Sequence, residues 1–218
     1  MLRIFSVLLL LPLLTHCGNT QNQPVIKSGR LELVPEPDQA LREEYEKNQH
    51  AIKHDCYFSE PDTSVFGIKI RNAESALNIL GKQTKLSGDS THTFYSADKK
   101  QRLALTVHAG DAFNEVSIFT VSYSDQSKEN FTQLDTKEFE TEKGIKLGLS
   151  KRKLLEKLGD CYTAKDSSEH TIQLYYILES PHDSKTKLLN NNNMPSYYAS
   201  YKLTNDKLNR MEFGFQYP

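Results

Sequence analysis

A short pattern occurs twice in this chain, and an internal repeat limits the possible fold more than any other feature of a sequence. Gly67-Ile68-Lys69-Ile70 opens the first copy and Gly144-Ile145-Lys146-Leu147 the second. With a single one-residue gap, Asn72, Ala76, Leu77, Leu80 and Gly81 fall beside Ser150, Leu154, Leu155, Leu158 and Gly159. Asn72 and Ser150 are side chains whose oxygens accept the free amides of a helix's first turn. The apolar residues that follow return on one face of a 3.6-residue period, and a glycine closes each stretch where a positive φ ends a helix without Cβ strain. Each copy therefore predicts one short helix.

Downstream of each helix the hydrophobic period changes from 3.6 to 2. Thr91–Ser96, Gln101–Ala109 and Glu115–Tyr123 read as strands in the first copy; Thr171–Leu178, Ser196–Leu203 and Leu208–Tyr217 do so in the second. Short connections imply antiparallel neighbours. Ser124–Lys137 has the polar character of a linker, and Glu179–Pro195, with its run Asn190–Asn193, reads as a loop. The expected fold class is α+β: two tandem repeats over residues 56–124 and 138–218, each a short helical segment packed on a small antiparallel sheet.

The N-terminus gives a different kind of information. Arg3 precedes an apolar run from Val7 to Leu14, and no acidic residue occurs before Glu32. A run this short is a signal peptide, expected over residues 1–16, and not a membrane span. Gly18 to Asp38 is rich in Asn, Gln, Pro and Gly, so residues 17–55 read as a tether with a possible short helix at 39–53. Removing residues 1–16 takes away Arg3 and no acid, leaving 26 basic against 28 acidic residues. That balance offers no basic excess to drive nucleic-acid binding. Cys56 and Cys161 would remain as a pair in an oxidising compartment, where a disulfide is more common than two free thiols.

Two resemblances follow from these residues. Leu14-Thr15-His16-Cys17 resembles the lipobox of bacterial lipoproteins, with His16 where the pattern has a small residue. It implies a lipid on Cys17, with a plain secreted form as the alternative, and Gly18 in place of aspartate favours the outer membrane. The run Gly144 to Gly159, through Gly148, Leu149, Ser150, Leu154, Leu155 and Leu158, resembles a signature shared by two bacterial groups. One is the small outer-membrane lipoproteins of the barrel-assembly machinery (the BamE, or SmpA, group); the other is the β-lactamase inhibitor proteins. Asp160-Cys161 stands where a proline usually follows. The resemblance implies a helical segment on a small antiparallel sheet, no cofactor, and binding of another envelope or secreted protein. Tandem copies look more like the inhibitors, and the lipobox more like the assembly lipoproteins.

Catalytic motifs are absent from the sequence: no G-x-S-x-G elbow, H-E-x-x-H helix, Walker loop or C-x-x-C pair occurs. His50, His54, Asp55 and Cys56 make the nearest approach to a metal cluster, but two imidazoles at that spacing need two further ligands to hold zinc. His92, His108, His170 and His182 are scattered. Lys151-Arg152-Lys153 reads as a hydrated helix face or a lipid-headgroup contact.

Seven of the eleven tyrosines lie from Tyr162 onward, and strand phase separates them. If Leu174, Tyr176, Tyr201, Phe213 and Phe215 face the helix, then Tyr175, Ile177, Tyr198, Lys202, Arg210 and Glu212 share the opposite face. Aromatic residues ringed by charges suit a transient protein interface. The alternative is that this face packs against the first copy. The sequence thus points to a non-enzymatic protein-binding module of the bacterial envelope, or to a proteinaceous inhibitor of a secreted or periplasmic hydrolase such as a β-lactamase. A third class, an enzyme whose site carries no recognisable motif, stays open.

Overall fold

The computed structural model describes residues 61–88, 90–124, 132–165, 167–179 and 187–216. The leader, the tether with Cys17, and the group His50, His54, Asp55 and Cys56 lie outside the described residues, as does His182.

Both helices form where the caps place them. In α1, Ala73–Leu80, the Asn72 side chain accepts the Ser75 amide at 2.8 Å; in α2, Lys151–Leu158, Ser150 accepts the Lys153 amide at 3.5 Å. Each helix stops at its glycine. The Gly81 amide donates to the Leu77 carbonyl at 3.0 Å and the Gly159 amide to the Leu155 carbonyl at 2.8 Å. Ala76 of α1 and Leu154 and Leu158 of α2 turn into the core.

A two-stranded ribbon of β1 (Ser64–Val65) and β2 (Ile68–Lys69) precedes α1. The remaining strands are β3 (Ser90–Tyr95), β4 (Gln101–Val107), β5 (Ile118–Tyr123), β6 (Thr132–Gln133), β7 (Thr163–Lys165), β8 (Thr171–Glu179), β9 (Ser196–Thr204) and β10 (Lys207–Gln216). They make one sheet in the order β6-β3-β4-β5-β10-β9-β8-β7, antiparallel except where β6 runs parallel to β3. Among the described residues three helices, of eight, eight and five residues, accompany this sheet, so the fold there is α+β with little helix.

The strands that follow α1 and those that follow α2 therefore join into one sheet, a point the sequence left open when it placed a small sheet in each copy. Each set ends on a long strand, β5 or β10, whose outer backbone groups would otherwise be an unpaired edge. These two edges pair, Phe119 opposite Phe213 and Thr120 opposite Glu212. Gly214 makes the approach possible: a Cβ there would lie 2.1 Å from the Ser117 carbonyl oxygen.

Two stretches depart from the sequence reading. The expected linker contains β6, and just past it Leu134 and then Phe139 are buried, because their side chains help cover the sheet. Part of the expected Asn loop is a short helix, α3 (Leu188–Asn192), with Leu189 buried and Asn193 in the left-handed region that ends it. Leu189 supplies the apolar anchor that composition alone concealed.

One face of the sheet is the core. Leu103, Leu105, Phe119, Val121, Leu174, Tyr176, Tyr197, Tyr201, Leu203, Met211, Phe213 and Phe215 are all solvent-inaccessible. They form one cluster with Leu154 of α2, Phe139 and Ile145. A bulge between Leu208 and Arg210 of β10 lets both Leu208 and Met211 point inward. The tight turn at Asn205-Asp206 has both residues at positive φ, +49° and +62°, which suits the twist of a two-residue hairpin.

Candidate partner-binding face

Strand alternation that buries one face of the sheet leaves the other open, and cross-strand register sets which open-face residues become neighbours. Tyr175 of β8 lies opposite Ser200 of β9, Ser200 opposite Glu212 of β10, and Glu212 opposite Thr120 of β5. One pair of positions toward the start of β9, Ile177 faces Tyr198, and Tyr198 faces Gly214. On the other side, Lys202 faces Arg210. All six residues assigned to this face thus share it, and none is buried. The alternative that the face packs against the first copy does not hold, because the two strand sets meet edge to edge.

The aromatic part of the face is organised. Tyr175 and Tyr198 stack at 6.0 Å between centroids and 20° between planes. The ammonium of Lys165, on β7, sits 4.0 Å from the centre of the Tyr175 ring, a cation–π arrangement. Beside them Glu212 accepts three hydrogen bonds: from the Tyr198 hydroxyl at 3.0 Å, the Arg210 guanidinium at 2.6 Å and the Thr120 hydroxyl at 3.1 Å. Thr120 belongs to the strands that follow α1, so this carboxylate bridges the junction of the two sets.

Partial burial pushes the Tyr175 hydroxyl up to about 12, with the charges of Glu179 and Glu212 acting the same way. Tyr198 is raised further, first by burial and then by the adjacent Glu212. Both phenols therefore remain neutral donors near neutral pH. They offer flat apolar surface with a fixed hydrogen-bonding rim, a combination common at protein interfaces.

The other candidates are not brought together. His92 lies 2.8 Å from the Ser90 hydroxyl and His170 sits 4.0 Å from Glu169 at the surface. Among the described residues no three His, Cys, Asp or Glu side chains converge as they would around a metal ion. The Lys151-Arg152-Lys153 run opens α2, where Arg152 pairs with Glu156 at 3.1 Å. Cys161 is half-buried just past α2; Cys17 and Cys56 lie outside the described residues.

Sequence reasoning missed a polar cluster in the core. Asp62 is solvent-inaccessible; its backbone carbonyl accepts the Tyr197 hydroxyl at 2.6 Å and its carboxylate the Tyr201 hydroxyl at 3.2 Å. Burial raises the Asp62 carboxyl to about 6, against the opposing hydrogen bond from Thr141. Next to it Glu142 accepts the Ser64 amide and hydroxyl at 2.7 and 2.5 Å and the Thr63 hydroxyl at 2.9 Å, and also takes the Thr63 amide. Nothing in the local pattern of Pro61-Asp62-Thr63 signals this burial. Lys165 and Arg102 were missed as members of the open face, although the alternation of β4 would have turned Arg102 outward.

No family model, no curated protein and no solved structure matches the chain.

Proposed function

We propose that this chain is a non-enzymatic protein-binding module of the bacterial cell envelope, and that the open face around Tyr175 and Tyr198 is where its partner docks. The observation that carries the proposal is the stacked tyrosine pair itself, held in place by Lys165 and Glu212 on a sheet face none of whose assigned residues is buried. Pre-ordered aromatic side chains lose little further freedom on binding, which is why they recur as interface hot spots.

In the same proposal residues 1–16 export the chain, Cys17 carries the lipid that tethers it to the outer membrane, and Cys56 pairs with Cys161. The two helix-and-strand units are copies of one ancestral unit, in line with the paired landmarks Asn72 to Gly81 and Ser150 to Gly159. The likeness of Gly144–Gly159 to the BamE and β-lactamase inhibitor groups supports protein binding as the role.

Tyr198→Ala and Tyr175→Ala test the face. At a docking site each costs about 2 kcal/mol or more of partner affinity and leaves the melting temperature nearly unchanged. A melt that falls by many degrees with affinity intact places the docking face elsewhere. A second reading, inhibition of a secreted or periplasmic hydrolase, is favoured by the junction at Glu212, which makes the open face continuous across both units. Pulldown of a soluble enzyme whose activity is lost in the complex selects the inhibitor; recovery of outer-membrane components selects an assembly or structural role.

A further inference from the structure

Register aligns a second row on the open face, next to the tyrosines. Lys165 of β7 lies opposite Gln173 of β8, Gln173 opposite Lys202 of β9, Lys202 opposite Arg210 of β10, Arg210 opposite Ser122 of β5, and Ser122 opposite Arg102 of β4. The row holds four cations and no carboxylate, over five inter-strand steps, or about 24 Å at the usual strand spacing. Its two central members, Lys202 and Arg210, are directly opposed like charges, a placement that weakens a sheet. Arg210 is relieved by Glu212 at 2.6 Å, whereas Lys202 is exposed and has no ion pair among the described residues. Arg102 gives its Nε to the Ser122 hydroxyl at 2.7 Å, and among the described residues its two terminal nitrogens make no hydrogen bond. The whole chain carries a net charge of −1, so this alignment is local and does not reflect an excess of base.

We propose that the partner lays an acidic segment of protein chain across this row, its carboxylates on Lys202, Arg210 and Arg102, while its neighbouring surface covers Tyr175 and Tyr198. The inference rests on the open face being the docking face and adds the chemistry of what docks. About seven extended residues span the row, and guanidinium groups bind carboxylates in a two-toothed geometry that fixes the segment's position. The alternative polyanion, a nucleic acid, is disfavoured because the carboxylate of Glu212 stands beside the row and the molecule as a whole does not attract polyanions over distance.

The test uses the full chain with three fluorescein-labelled probes at low salt: deca-glutamate, deca-lysine and a fifteen-residue oligothymidylate. Deca-glutamate should bind and deca-lysine should not, and raising salt to physiological strength should weaken the complex. Lys202→Glu combined with Arg102→Gln should lower deca-glutamate affinity at least tenfold. Should that pair unfold the chain, Lys202→Ala at an exposed position serves instead, with a smaller loss. Failure of deca-glutamate to bind, or binding that the folded variants leave unchanged, overturns the acidic segment. Tighter binding of the oligothymidylate, lost in the same variants, overturns it in favour of nucleic acid. Loss of the native partner in Tyr198→Ala but not in Lys202→Ala overturns the acidic segment alone and keeps the docking face, so the two readings fail separately.

Discussion

Asp62 is a single residue whose environment makes the whole fold sensitive to pH. Its carboxyl titrates near 6 when buried and near 3.8 when exposed, so the folded state holds its proton more tightly than the unfolded state. A raised carboxyl favours the fold at low pH: the benefit is complete below about 4 and is lost as pH rises through about 6, a difference of about 3 kcal/mol between those limits. The groups that set this value are Glu142, which raises it, and Thr141, Tyr201 and Lys143, which lower it. Asp62→Asn keeps the shape and an acceptor for the Tyr201 hydroxyl but does not titrate. The stability of the variant relative to the parent should therefore rise by up to about 3 kcal/mol between pH 4 and pH 7, as read from denaturant unfolding at each pH. A flat difference would show that Asp62 does not titrate in this range.

At the scale of elements, the ends of α1 and α2 show how local chemistry places structure. Gly159 closes α2 at φ +77° and ψ −176°, in a region that essentially only glycine occupies. Nothing lies within 4 Å of where its Cβ would be, so substitution there meets strain without a clash. Gly159→Ala should cost about 1–3 kcal/mol, measured as a lowered denaturation midpoint with an unchanged denaturant slope; a loss below about 0.5 kcal/mol would mean that the turn adapts. These ends were legible in the sequence because a cap, an apolar stripe and a terminal glycine act within one or two turns of chain. The short α3 was not, because four consecutive asparagines resemble a loop, and what anchors that helix is the burial of Leu189 in the shared hydrophobic core.

For the whole molecule the decisive element is the seam between β5 and β10. Gly214→Ala places a methyl group where the Ser117 carbonyl oxygen already lies, 2.1 Å away. The strands must separate or shift, so the variant should lose at least the ~1–3 kcal/mol typical of an overpacked core. Hydrogen exchange should show its largest loss of protection along β5 and β10, whose backbones meet there, and uniform loss across all strands would show that the sheet opens as one unit.

What the sequence determined by itself was local. The caps Asn72 and Ser150, the glycines after each helix, and the alternation that sends Tyr175, Ile177, Tyr198, Lys202, Arg210 and Glu212 to the face opposite Tyr176 and Phe213 are all set by neighbours a few residues away. Strand pairing is a different matter. Period-2 alternation specifies which face a side chain takes but is silent on which strand lies alongside, since backbone hydrogen bonds are nearly the same for every residue type. Only the tertiary structure decided that β5 and β10 meet, that Thr120 completes the Glu212 site across that seam, and that Lys202 and Arg102 stand in one row. It also decided that Asp62 is buried, because the hydroxyls that hold it, Tyr197 and Tyr201, are 135 and 139 residues away along the chain.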